Sequence, residues 1–425
     1  MRRAKLAFLL ALVVCLGLQA RQVHRPNLAD FEVYDAAAEL VHQHHSPDMY
    51  DDADDEAVFQ LKFVGPQRPL ALAANRLGIA RVRLYIYPPI LADMLLPLVF
   101  VSGATAGKLW LLLNLAALLG TAALMVRTLD LPWASAGAAA VFAGLFALFS
   151  TVFCLEWGQV TILLLLLWMA TIFLYARGRY AASAAAMALA TAIKLTPLVV
   201  VVPFFVWKEW KWLRAYVAFL LLAFGLMCVV NTPASLADYI FHVMPSMSNG
   251  GIPDAENKSL LASVQLLYLT LHGASTHPVT LAVPKLVETV GKGLSLGLVL
   301  LAMLLVYRLG ATMRMADRRI TLALFALLSA CVAPISWKHA YIVVFLALSL
   351  LWAEALRTRV STAWLVLLTF SSIELGSFVF DSLIGKATHG VLFGLLSFLA
   401  PVTGVVLVLW RLLQMRPAPP GQEPA

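Results

Sequence analysis

Apolar runs long enough to cross a bilayer recur along the chain, separated by short polar stretches. A spanning helix needs about 20 mostly apolar residues. Runs at 5–21, 108–127, 134–153, 159–176, 180–194, 195–208, 212–230, 282–307, 319–334, 340–356, 360–380 and 388–412 meet or approach that length. The pattern predicts an all-α, polytopic integral membrane protein with about twelve transmembrane helices. Lys194 and Pro197 interrupt the stretch 180–208, which predicts two short helices meeting near the outer face. Residues 85–100, YIYPPILADMLLPLVF, are also apolar. Pro88, Pro89, Asp93 and Pro97 suit an outer juxtamembrane or re-entrant piece better than a straight helix in lipid.

Charge fixes the orientation. Cytoplasmic loops of membrane proteins carry an excess of lysine and arginine. Treating 85–100 as non-spanning puts Arg2, Arg3, Lys5, Arg127, Arg177, Arg179, Lys208, Lys211, Arg214, Arg308, Arg314, Arg318, Arg319, Arg357, Arg359, Arg411 and Arg416 on one side. That side is then the cytoplasm, with both termini, in a multi-pass protein of the plasma (inner) membrane. Two long loops, about 22–107 and 231–281, face out. The first apolar run reads as an uncleaved helix rather than a removed signal peptide, because so many spans follow it. Residues 1–416 form one transmembrane domain, and PAPPGQEPA at 417–425 reads as a disordered tail.

Composition excludes other classes. Hydrophobic residues are 61% of the chain and charged ones 13%, about half the charged share of a soluble protein. The net charge of +8 follows from basic residues at helix ends, and no basic patch with interleaved aromatics points to nucleic acid. The four cysteines lie within or at the ends of apolar runs without a CxxC or a Cys/His cluster, so neither a disulfide framework nor a zinc site is expected.

The candidate chemistry lies in outer loops and at helix ends. Asp30 and Tyr34, in DFEVY, put a carboxylate beside aromatics at the membrane surface, where a raised pKa suits a general base; a solvated loop carboxylate is the plainer reading on position alone. Gln159, after Glu156-Trp157-Gly158, offers a donor and an acceptor or simply caps a helix. Lys194 in ATAIKLTP is costly in an apolar run and is suited to meet an anion such as a phosphate. Asn257 and Lys258, with Ser259, either cap a helix plainly or turn its amide end toward an anion. Trp337, Lys338 and His339 combine a stacking ring, a cation and a proton carrier, or form an interfacial belt. The acidic run 51–56 reads as a solvated loop.

Together these pieces resemble glycosyltransferase family 87, of the polyprenol-phosphate-dependent mannosyltransferase type in the GT-C class. They are D-x-x-V-Y at 30–34, Y-P-P at 87–89, G-Q at 158–159, A-I-K-L-T-P at 192–197, N-x-S at 257–259 and P-I-S-W-x-H at 334–339. The resemblance implies a GT-C-like fold with outer juxtamembrane helices and inverting transfer of a sugar from a polyprenyl-phosphate donor to an extracytoplasmic lipid or glycan acceptor. By the same resemblance Asp30 is the base, His339 assists, and Lys194, Gln159, Asn257, Lys258, Trp337, Lys338, Tyr34 and Tyr87 hold the donor. No cofactor is implied, and metal dependence is left open. The chain has Thr161 where the family has Asn, Lys258 in place of Gln, and Ala340 after the histidine. Rival readings are a lipid-linked glycan flippase, which would carry inverted repeats, a glycan ligase with a more arginine-rich outer loop, and an assembly subunit for which Asp30 would be dispensable.

Overall fold

The structure is a computed structural model that describes residues 2–19, 27–50, 63–250, 252–254, 256–272, 283–310, 313–379 and 391–416. The expected tail 417–425, the acidic run 51–56 and parts of both outer loops lie outside the described residues. The N-terminal part contains α1 (Arg2–Gln19), α2 (Ala29–His42), α3 (Pro69–Arg76) and α4 (Ile90–Leu95). A bundle follows: α5 (Gly103–Thr128), α6 (Ala136–Phe146), α7 (Phe149–Trp157), α8 (Thr161–Ala176), α9 (Tyr180–Ile193), α10 (Leu198–Val206) and α11 (Trp210–Val230). Next come the short α12 (Pro233–Asp238) and α13 (Met244–Gly250), then α14 (Leu260–Leu271), α15 (Lys285–Leu309) and α16 (Met315–Val332). The chain finishes with α17 (Val344–Arg357), α18 (Thr362–Ser377), α19 (Val391–Ser397) and α20 (Leu399–Gln414). Among the described residues, pairing outside helices is limited to two isolated bridges, Phe63 with Arg83 and Asn257 with Trp337.

The all-helical, membrane-type architecture stands, while fewer than the expected twelve runs are long apolar helices among the described residues. Among the described residues, five helical stretches are long and apolar enough to cross a membrane: α5, α11, α15, Lys338–Arg357 and Gly394–Gln414. The pair α6 and α7 makes a sixth if it counts as one span, bent by 54°. Residues 134–153 are therefore not one straight helix. At the bend the Thr151 hydroxyl donates to Leu145 O at 2.7 Å and occupies a carbonyl near the break. Four further apolar helices, α8, α9, α14 and α18, are shorter; a 14-residue helix such as α9 rises only about 21 Å. Residues 85–100 form α4 and a following 3₁₀ turn rather than a long helix, as their prolines require.

Side chains turned outward include Leu112, Leu221, Val229 and Leu304, an apolar surface suited to lipid. Inside, small residues and hydroxyls hold the helices together. The alanine-rich α9 buries Ala184, Ala188, Ala190 and Ala192, so α8 and α11 approach its backbone closely. Trp212 Nε1 donates to Ser183 Oγ at 2.9 Å, Ser183 Oγ to Thr171 O at 2.9 Å, and Tyr216 OH to Thr191 Oγ1 at 3.0 Å. The rings of Phe204 and Trp212 stack with centroids 3.6 Å apart.

Helices α8, α10 and α16 share two ends. One carries Gln159, Leu195 and Val332. The other carries Tyr175, Glu209 and Arg318, where Arg318 Nη1 donates to Glu209 Oε1 at 2.6 Å and to the Tyr175 hydroxyl. Beside them Arg411 Nη2 donates to Glu354 Oε1 at 2.6 Å and Asp317 Oδ1 at 3.3 Å. Arg319 and Arg357 donate to the carbonyls of Thr128 and Leu129 where α5 ends, a favourable place for cations. The basic residues that set the sequence topology thus bind helix ends together. Because Arg411 is buried, Arg411→Met should cost about 3–5 kcal/mol by leaving buried carboxylates short of a partner. Thermal unfolding of the purified protein in detergent reads this as a lowered transition; an unchanged transition would show that the network contributes little.

Candidate active site

Asp30 occupies the first turn of α2, and main-chain contacts position that turn. Leu28 precedes the helix in a left-handed conformation, φ 52°. The N–H groups of Asn27 and Leu28 both donate to Glu156 O at 2.9 Å, fastening the start of α2 to the end of α7. Asn27 Oδ1 accepts from Ala29 N at 2.9 Å and satisfies a free donor of the helix start. On the other side α7 ends at Gly158, φ 68°, and the chain reverses into Gln159. A β-carbon at Gly158 would meet Phe31 Cβ at 2.7 Å, so glycine is required both by its dihedral angle and by the approach of α2. Trp110 closes the layer behind: its Nε1 donates to Gly158 O at 2.7 Å and its ring stacks on Phe31.

These elements point Gln159 at Asp30. Gln159 Nε2 donates to Asp30 Oδ2. Its Oε1 faces three hydroxyls, with Tyr34 OH and Tyr87 OH at 3.4 Å and Thr161 Oγ1 at 3.5 Å. The hydroxyls of Tyr34 and Tyr87 are themselves 3.2 Å apart. Hydroxyl donors on the carbonyl end leave the amino end for the carboxylate. Burial pushes the Asp30 carboxyl up to about 6, partly opposed by the Gln159 hydrogen bond and then by the charges of Arg83 and Lys194.

A cavity of about 530 Å³ opens over this carboxylate, within the range of small-molecule sites. Asp30, Tyr34, Tyr87, Gln159, Lys194, Trp337, Lys338 and His339 all border it. Lys194 ends α9 in an extended conformation, just before Pro197 begins α10, and its Nζ lies 5.5 Å from the Tyr87 ring centre. The His339 ring stacks on Phe153 with 13° between planes. Lys338 Nζ is 2.9 Å from Glu256 Oε1 and sits near the rings of Phe149 and Phe378. Among the described residues no group of His, Cys, Asp and Glu is arranged to hold a metal ion.

Two expected ligands stand elsewhere. Asn257 and Lys258 are buried and do not border the cavity. Asn257 Oδ1 accepts from Ser336 N at 2.8 Å and Ser259 N at 3.2 Å, while its Nδ2 donates to Ile252 O at 2.9 Å. Lys258 N donates to Ser336 O at 2.7 Å, and Lys258 O accepts from Tyr341 OH at 2.7 Å. This pair fastens the loop before α14 to the loop carrying Trp337, Lys338 and His339. Ser259 is the plain cap of α14, its Oγ accepting from Ala262 N at 3.0 Å.

A family model described as glycosyltransferase family 87 matches residues 85–334, more than half of the chain. The chain belongs to glycosyltransferase family 87. It is a membrane glycosyltransferase. No curated protein matches the chain. The family match takes in Tyr87, Gln159 and Lys194, and ends before Trp337, Lys338 and His339.

This family 87 chain also has cavity residues that the sequence reading did not select. Arg83, Phe153, Trp157, Asp254 and Glu256 all border the cavity. Arg83 stands four residues before the Tyr87-Pro88-Pro89 motif, Trp157 two before Gln159 and Glu256 one before Asn257. Phe153 and Trp157 are one helical turn apart on α7, a spacing equally suited to plain core packing. In Gly158→Ala the methyl group would displace α2 from Gln159. A shift of about 1 Å costs on the order of 100-fold in rate, and the strained backbone about 1–3 kcal/mol. Sugar transfer and thermal unfolding of the purified variant measure the two effects, and wild-type values in both would contradict this assignment.

Proposed function

We propose that this enzyme moves a sugar, mannose or another hexose or pentose, from a polyprenyl-phosphate donor to an extracytoplasmic lipid or glycan acceptor, with inversion. The observation that carries the reading is the pairing of Asp30 with Gln159 in the same cavity as Lys194. A carboxylate oriented by an amide and faced by a fixed cation is the equipment for activating an alcohol while a phosphate departs. The basic turns gathered at the other end of α8, α10 and α16 support an extracytoplasmic site in a GT-C-like arrangement, with the termini in the cytoplasm.

In this mechanism Asp30 takes the proton of the acceptor hydroxyl as that oxygen attacks the anomeric carbon. The bond from this carbon to the phosphate oxygen breaks with its electron pair. The departing polyprenyl phosphate gains negative charge, which Lys194 offsets in a cavity with mostly apolar walls. His339, stacked on Phe153, borders the same space and assists the phosphate or the acceptor. Trp337 offers a ring face to a sugar, and Lys338 on the same wall is already held by Glu256. Apolar wall residues such as Val199, Met244 and Met247 suit the first units of a lipid tail.

Asp30→Asn should remain folded and inserted while losing about 10²–10⁴-fold in transfer from polyprenyl-phosphate-mannose; retained turnover would remove Asp30 as the base. Because a base acts only when ionised, kcat/KM should fall as pH drops through about 6. Gln159 lowers that value, so Gln159→Leu should move the acid limb to higher pH. A rate profile of the two proteins across this range tests the assignment, and coincident limbs would refute it.

A further inference from the structure

We propose that Arg83 is a phosphate-binding residue of this site, acting with Lys194 on a lipid-borne phosphate. The inference rests on the reading of the cavity as a site for a lipid-phosphate sugar. Arg83 stands in an extended segment paired with Phe63, where Val64 N donates to Val82 O at 2.8 Å. Its guanidinium carbon lies 5.1 Å from the Trp157 ring centre and 6.0 Å from that of Phe63. The two aromatic rings fix the side chain on the cavity wall beside Asp30. Its Nε is buried and has no hydrogen-bond partner, and among the described residues no carboxylate closes an ion pair on it.

A buried donor without an acceptor is costly unless a ligand supplies one. Lys338, a third cation on the wall, is already paired with Glu256. Arg83, by contrast, closes no ion pair among the described residues, although its charge reaches Asp30. A planar guanidinium steadied by an indole presents its edge N–H groups in a fixed fork, which matches two phosphate oxygens in a way that a lysine cannot. The departing phosphate gains a negative charge during transfer, and one ammonium group alone offsets only part of it. Lys194 supplies a point charge, and Arg83 supplies orientation.

The test uses the purified full-length protein in detergent with Arg83→Gln and Arg83→Lys. Binding is measured for farnesyl phosphate, for uncharged farnesol and for short-chain phosphatidylglycerol. Arg83→Gln should weaken farnesyl phosphate at least about tenfold and leave farnesol unchanged, with Arg83→Lys recovering only part of the loss. That result assigns the donor phosphate. Loss confined to phosphatidylglycerol would support a phosphate borne by a lipid acceptor. Unchanged binding of both anions overturns the proposal. An unchanged thermal transition confirms that each variant is folded. These titrations involve no turnover, so an active Asp30→Asn protein would refute the base assignment and leave the Arg83 result standing.

Discussion

The site depends on which way one amide faces. Gln159 has a donating end and an accepting end, and the two would act oppositely on a carboxylate. Tyr34, Tyr87 and Thr161 crowd hydroxyls onto the carbonyl oxygen, so the amino group is left for Asp30. The three hydroxyls come from α2, from the segment before α4 and from the start of α8. Gly158 and Trp110 then hold the turn that carries the amide. Several separate segments therefore converge on one hydrogen bond.

That bond also sets a balance. Removal from water raises the Asp30 carboxyl. The amide and the two nearby cations pull it back, and a carboxyl titrating at about 6 is mostly ionised at pH 7 while remaining a stronger base than a free one. In the proposed mechanism the same cations meet the donor phosphate. One set of charges thus serves the base before transfer and the leaving group during it, which is economical in a cavity with mostly apolar walls.

Much of this was legible in the sequence, and the remainder was not for identifiable reasons. Lys194 and Pro197 announced the break between α9 and α10, because a lysine in an apolar run and a proline both resist a continuous helix in lipid. Charge bias sorted the turns, so Asp30, Gln159, Lys194 and His339 were expected together and do border one cavity. Hydropathy measures what lipid tolerates, not where a helix bends or how far it runs; 134–153 looks like one straight helix in sequence and is part of two, α6 and α7, bent by 54°. Asn257 and Lys258 lie next to the site in motif terms, yet their bonds run to Ile252, Ser336 and Tyr341, partners that only the tertiary fold reveals. Arg83 was missed because its meaning comes from Trp157, which is distant in sequence.

The fastening of α2 to α7 runs through the Glu156 carbonyl and the N–H groups of Asn27 and Leu28. All three belong to the peptide backbone, which every residue except proline can supply in full. This fastening therefore reads the course of the main chain at 156 rather than the chemistry of its side chain, and a proline at 27 or 28, which would remove one of the two N–H groups, is the change it tolerates least.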